Sequence, residues 1–269
     1  MTGKPIPIAL TIAGSDSGGG AGIQADLKTF SALGVYGASV ITALTAQNTM
    51  GVTGIHDTPA DFITAQIDAV FSDLDIKAVK IGMVSRPDAI LAITAGLQRW
   101  APASVVLDPV MVATSGDRLL APEAIDLLRS RLIPMAHVIT PNLPEAAALL
   151  DAPLAASDAD IQAQGRQLLA LGRPAVLIKG GHGEGSGSVD YLVTAEASLR
   201  LAAPRTKTKN THGTGCSLSS AIAAGLAKGE TLEAAVRQAK SYVSAALAAA
   251  DRLSVGKGHG PIHHFHAFY

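Results

Sequence analysis

Short apolar runs alternate along the chain with longer stretches whose apolar residues recur every three or four positions. Ile8 to Ala13 reads as a first buried strand, followed by the loop Gly14-Ser15-Asp16-Ser17-Gly18-Gly19-Gly20-Ala21-Gly22. Ile23, Leu27, Phe30 and Leu33 then fall on one helical face, and Gly34 stops that helix. The same alternation predicts strands at Ala38 to Leu44, Ala78 to Met83, Val105 to Val110, Val138 to Thr140 and Ala175 to Lys179. Helices are predicted over Pro59 to Phe71, from Pro87 onward, over Pro122 to Leu132, from Asn142 onward and over Asp158 to Leu171. Val189 to Thr194 and Leu199 to Ala202 read as an antiparallel pair, and helices after Gly213 and over Thr231 to Ala249 close the pattern. Strands alternating with helices imply a mostly parallel sheet covered on both faces, an α/β sandwich of three layers.

Such a sheet binds ligands beyond the carboxyl ends of its strands. The polar clusters fall there: Gly14-Ser15-Asp16, Thr45-Ala46-Gln47-Asn48, Gly82-Met83, Asp108, Asn142 to Glu145 and Lys179 to His182. Composition narrows the class. The 269 residues are 48% hydrophobic and 16% charged, which suits a large core and excludes a disordered chain. A formal net charge of −1 gives no reason to expect nucleic acid or a membrane surface as partner. No apolar run reaches the length of a membrane span. One cysteine cannot form an intrachain disulfide, which fits a reducing cytoplasm.

The most pointed stretch is Lys209-Asn210-Thr211-His212-Gly213-Thr214-Gly215-Cys216. It leaves a polar loop and enters a helix of small residues. The first N–H groups of a helix lack internal partners and carry the positive end of its dipole. With Gly213 and Gly215 allowing close approach, this turn is a ready phosphate site. Cys216 lies in the first helical turn, where a thiolate is stabilised. Asn142-Leu143-Pro144-Glu145 is a capping box that also places Glu145 near a possible Mg²⁺. Asp108 is a strand-end carboxylate suited to Mg²⁺ or to managing phosphate charge. Lys179 before two glycines can reach a phosphate chain.

Two other glycine motifs fail. Gly20-Ala21-Gly22-Ile23-Gln24-Ala25 fits the dinucleotide pattern, but no acidic residue follows the second strand to hold a ribose. Gly256-Lys257 is followed by Gly258, so it is not a Walker A motif. The histidine-rich tail, Gly258 to His266, lacks the cysteine or acid of a usual zinc site and reads as packing or subunit contact.

Taken in order, these motifs, with Lys80-Ile81-Gly82-Met83, Leu107-Asp108-Pro109-Val110-Met111 and Gly260-Pro261-Ile262-His263-His264-Phe265-His266, resemble a known family. It is that of the bifunctional hydroxymethylpyrimidine/phosphomethylpyrimidine kinases of thiamine biosynthesis, in the ribokinase superfamily. The resemblance runs the length of the chain and implies one ribokinase-like kinase domain over residues 1–269, usually a homodimer. It implies MgATP as cofactor and two phosphoryl transfers to 4-amino-5-hydroxymethyl-2-methylpyrimidine. On that resemblance, Gln47 holds the pyrimidine, with Asp26, Met83, Val110 and the Gly14 backbone nearby. The Gln47 amide offers the donor and acceptor that an aminopyrimidine edge requires. The amides of Gly213, Thr214, Gly215 and Cys216 hold the migrating phosphoryl group, and Cys216 is the base. Lys179, Thr211 and Asn142 face the nucleotide, while Asp108 and Glu145 hold Mg²⁺ through waters. A pyridoxal kinase is the nearest rival; a non-catalytic pyrimidine-binding protein is a rival of another class.

Overall fold

The computed structural model describes residues 5–111, 122–172, 175–181 and 187–269. The first apolar run becomes β1 (Ile8–Asp16), which α1 (Gly22–Ala32) returns to the start of β2 (Tyr36–Asn48). β3 (Gly51–Asp57), α2 (Ala60–Phe71), β4 (Ile76–Ile81), α3 (Pro87–Trp100) and β5 (Val105–Leu107) follow. After α4 (Pro122–Leu127) come β6 (Val138–Ile139), α5 (Leu143–Leu150), α6 (Asp158–Leu169) and β7 (Ala175–Lys179). The hairpin of β8 (Gly187–Val193) and β9 (Ser198–Pro204) precedes α7 (Thr214–Ala227) and α8 (Leu232–Ala248).

The described strands form one nine-stranded sheet in the order β3-β2-β1-β4-β5-β6-β7-β8-β9. From β2 through β7 neighbouring strands run parallel, while β3, β8 and β9 each pair antiparallel. Alternate side chains of each inner strand face opposite ways. Leu10, Ile12, Val105 and Ile178 join one core with Ile63 and Ile67 of α2, Ile90 and Ile93 of α3, Leu149 of α5 and Leu168 of α6. Ala9, Ala78, Val106 and Leu177 join the other with Phe30 of α1, Ile222 of α7 and Val236 of α8. This is the three-layer α/β/α sandwich of ribokinase-like proteins.

α7 lies deepest. Its small residues let helices approach closely: a Cβ on Gly225 would come within 2.7 Å of the Ala235 methyl on α8. Ser217, Ser219 and Ser220 are fully buried on this helix.

The expected elements differ at their ends. β1 continues through Asp16 because β2 runs on to Asn48 and gives it a partner, pairing Asp16 with Thr45 after a register shift. β3 lies in a segment without apolar alternation; it forms on the template of β2. β5 stops at Leu107, since Pro109 has no N–H for a ladder. The predicted helix from Pro122 is α-helical only to Leu127, continues as a π turn over Leu128–Leu132, and closes in a 3₁₀ turn at Pro134. No described helix is long and apolar enough to cross a membrane.

Candidate active site

Gly213 caps α7 in the left-handed region, with φ of 78°. A Cβ there would lie 1.9 Å from the Gly20 carbonyl oxygen, so only glycine fits on both counts. The Thr214 N–H and hydroxyl both turn back onto the Thr211 carbonyl, at 3.2 and 2.6 Å. The N–H groups of Gly215 and Cys216, beyond the reach of any intrahelical acceptor, line a cavity of about 890 Å³.

The other glycine loop also reaches a helix N-terminus, but the protein fills that anion position itself. Asp16 accepts from the N–H groups of Gly18, Gly20 and Ala21 at 2.8 to 3.0 Å, and its Oδ2 lies 2.9 Å from His212 Nε2. Burial opposes its charge, yet the His212 bond and those amides hold its carboxyl below the usual range. The loop after β1 is therefore a structural clasp, joined through His212 to the turn before α7, and not a phosphate cradle.

Three charged side chains meet beside that turn. Lys179 Nζ, at the end of β7, lies 2.7 Å from Asp108 Oδ1 and 3.8 Å from Glu145 Oε2. A Cβ on Gly215 would stand 3.4 Å from Lys179 Nζ and 3.7 Å from Asp108 Oδ2, so the turn and the charges adjoin. Burial disfavours the Asp108 charge, but Lys179, Lys80 and the Thr140 hydroxyl at 2.9 Å hold its pKa down. Glu145 is raised by burial and by the charge of Asp108, against the pull of Lys179. Lys179 is raised by its two carboxylates in spite of burial. The capping box is present in full: Asn142 accepts from the Glu145 N–H and Glu145 from the Asn142 N–H. Asn142 and Thr211 also line the cavity.

Cys216 departs from expectation. Burial pushes its thiol up to about 11, with Asp26 and Asp108 adding to the rise and Lys80 and the Gly22 N–H opposing it. The resting side chain is a thiol; desolvation and two carboxylates outweigh the helix terminus.

Asp26 is also placed differently. It does not line the cavity. It is fully buried beneath it, accepting from Thr11 Oγ1 at 2.6 Å, Ser220 Oγ at 2.6 Å and Lys80 Nζ at 2.8 and 2.9 Å. This knot fastens β1, α1, β4 and α7 together. Burial works against the Lys80 charge, but the Asp26 carboxylate outweighs it and raises the pKa. Lys80 itself reaches the cavity wall.

Gln47, at the far end of β2, also lines the cavity. Its Oε1 accepts from Thr45 Oγ1 at 3.1 Å, and its Nε2 lies 3.4 Å from His212 Nε2. The Gln47 backbone is tied to Ser17 Oγ by bonds of 2.8 and 2.9 Å. Gly14, Met83 and Val110 complete the wall. A Cβ on Gly14 would strike the Met83 methyl at 2.4 Å, so glycine lets that side chain cover the strand. The cavity continues past Lys179 to Pro204, Val243 and Leu247.

Sequence reading assigned no role to Lys80, Asp16, His212 or the α8 wall. Lys80 did leave a signal, as a charge inside the apolar run Ala78 to Met83. Among the described residues, no group of three or more His, Cys, Asp or Glu could by itself hold a metal ion. His182, which ends the Lys179-Gly180-Gly181-His182 motif, lies outside the described residues.

A family model described as phosphomethylpyrimidine kinase matches residues 16–263. A hydroxymethylpyrimidine/phosphomethylpyrimidine kinase of Rhizobium meliloti is 59% identical over 262 residues, which is 97% of this chain and 98% of the relative. A phosphomethylpyrimidine kinase structure from Clostridium difficile matches with a TM-score of 0.79 at 48% identity, over 89% of this chain and 98% of that one. An ADP complex of Bacillus subtilis pyridoxal kinase matches with a TM-score of 0.89 at 36% identity, over 97% and 98%. The backbone is thus common to enzymes named for two different heterocycles, and sequence identity separates them.

Proposed function

The chain belongs to the phosphomethylpyrimidine kinase family, and on that premise we propose how its cavity carries out the two phosphorylations. The enzyme phosphorylates 4-amino-5-hydroxymethyl-2-methylpyrimidine with ATP to the monophosphate and then to the diphosphate, in thiamine biosynthesis. A pyridoxal kinase is disfavoured by the higher identity to pyrimidine kinases.

Phosphoryl transfer asks mainly for positioning and charge stabilisation. The observation that carries the assignment of roles is that the Gly213–Cys216 turn, Lys179, Asp108 and Gln47 all line one cavity. Gln47 pairs with the aminopyrimidine edge, between Met83 and Val110, over the Gly14 backbone. The ring's hydroxymethyl group then points toward Cys216 and the free amides of α7. Those amides and Lys179 receive the migrating phosphoryl group. The minor thiolate form of Cys216 accepts the alcohol proton in the first transfer, as bonding to phosphorus makes that proton acidic. The nucleotide runs from Lys179 past Asn142 and Thr211 toward the apolar wall of α8. Asp26, beneath the floor, positions Lys80 and α7 without touching the ring.

Asp108 and Glu145 suit Mg²⁺. They are two buried, hard oxygen donors that both face Lys179 Nζ, with Glu145 raised by burial and by the charge of Asp108. Mg²⁺ is ordinarily held by one or two carboxylates, waters and substrate phosphates, so a third protein ligand is not required. The bound ion would neutralise phosphate charge. The domain extends over residues 1–269 and works in the cytoplasm, as the lone thiol suits. A homodimer is supported by exposed apolar side chains at one sheet edge, among them Leu44 on β2, Met50 in the turn and Ile55 on β3.

The test is to incubate the pure protein with MgATP and, separately, hydroxymethylpyrimidine, its monophosphate, pyridoxal and ribose. Turnover of both pyrimidines above the others is expected. Faster turnover of pyridoxal would overturn the substrate assignment.

A further inference from the structure

The histidine-rich tail takes no part in the roles above, yet it is built into the turn that begins α7. His212 and Pro261 form a parallel bridge: the His212 N–H donates to the Gly260 carbonyl at 3.0 Å, and the Ile262 N–H to the His212 carbonyl at 3.4 Å. Two residues on, His264 is buried, with its carbonyl held by the Tyr242 hydroxyl at 2.9 Å and the neighbouring His263 N–H held by the Ala246 carbonyl at 3.1 Å. Its ring Nε2 meets Ser217 Oγ at 3.0 Å. Ser217 is fully buried in the first turn of α7, directly after Cys216. The Gly213 carbonyl accepts from both the Ser217 N–H and the Ser217 hydroxyl, each at 2.9 Å.

We infer that His264 is a positioning residue for phosphoryl transfer, acting through Ser217 to fix the Gly213–Thr214 peptide plane and so the aim of the Gly215 and Cys216 amides. A serine hydroxyl has one hydrogen, and the Gly213 carbonyl takes it. The ring therefore donates its own Nε2–H to Ser217 Oγ. A neutral ring suits this, and burial, with Lys28 and two other histidines near, lowers its pKa to about 3. Without the ring, the hydroxyl can rotate away, and the left-handed cap at Gly213 loses one of the two bonds that hold its carbonyl. Errors of about 1 Å in such a site can cost about a hundredfold in rate.

The inference rests on the reading of Gly213–Cys216 as the phosphoryl cradle, and the experiment keeps the two apart. The variants are His264→Gln, whose amide nitrogen replaces Nε2, His264→Asn, whose amide replaces Nδ1, and Ser217→Ala. kcat and KM are measured for both phosphorylations, with melting curves as a check on folding. His264→Gln should stay within about threefold of wild type. His264→Asn and Ser217→Ala should each lose about ten- to a hundredfold in kcat, equally in both steps, with pyrimidine KM unchanged. Their combination should lose no more than either alone. Equal activity of the Gln and Asn variants, a loss seen in KM alone, or full activity of Ser217→Ala would each overturn the inference while leaving the cradle intact. Full activity of a folded Gly213→Val protein would instead remove the cradle itself.

Discussion

Cys216 is pulled two ways, and the balance has a kinetic signature. The helix terminus and Lys80 favour a thiolate; burial, Asp26 and Asp108 push the thiol to about 11. At pH 7 only about one molecule in ten thousand carries the thiolate, by the distance of pH from pKa. The first transfer starts from an alcohol whose proton must leave; the second starts from a phosphate whose second pKa is near 6, already ionised. Cys216→Ala should therefore slow the first step by about 10²–10⁴-fold and the second only slightly. In wild type, first-step kcat should rise from pH 7 to 9 while the second stays nearly level. These are read as separate kcat values at saturating MgATP, and equal losses in both steps would reduce the thiol to a packing group. Gln47→Ala should raise pyrimidine KM by roughly 5- to 150-fold, equivalent to about 1–3 kcal/mol, and leave ATP KM unchanged; the reverse pattern would move the ring elsewhere. Some candidate side chains stand out in the sequence because they lie at or just beyond strand ends, as Lys179 ends β7 and Asp108 follows β5. The place of Asp26 on α1 is visible in sequence, but its partners come from three other elements that no spacing rule connects to it.

Among the elements, the clasp after β1 is the instructive one. Its glycines resemble a phosphate loop, and the missing acid after the second strand already argued against a dinucleotide. Only the fold shows that Asp16 occupies the anion position. Its carboxyl titrates below its ordinary 3.8 in the folded chain. That stabilisation is fully present above the unfolded value and is lost as pH falls through the folded one. Asp16→Asn should cost about 1–3 kcal/mol at pH 7, and the gap to wild type should begin to narrow only once pH falls below the ordinary 3.8. Urea midpoints at pH 7, 5 and 3.5 decide it; a gap independent of pH would mean that the charge is idle. The reach of β2 to Asn48 and the existence of β3 were not legible. Gly51, Gly54 and Asp57 give β3 no strand pattern of its own, and its order comes from pairing with β2.

On the scale of the whole molecule, the layered plan was readable because parallel strands buried on both faces are short apolar runs, and amphipathic helices separate them. What the plan leaves open is substrate, since the same backbone matches a pyridoxal kinase closely. The exposed apolar edge at β2 and β3 predicts that the protein sediments at twice its 27.3 kDa chain mass, and that Ile55→Glu shifts it toward the monomer; a monomeric wild type at micromolar concentration would refute the homodimer. The clasp has one more consequence, and it concerns time. Asp16 and His212 are 196 positions apart, whereas Trp100 packs on Phe71 and bonds to Asp68 across only 32. Contacts between distant parts of a chain close late and slowly. During refolding from urea, Trp100 fluorescence should recover first and kinase activity afterwards, so that the catalyst exists for an interval as a packed protein without a finished active site. Stopped-flow fluorescence beside a timed activity assay would resolve the interval, and coincident recovery would show that the ends of the chain meet as early as its middle packs.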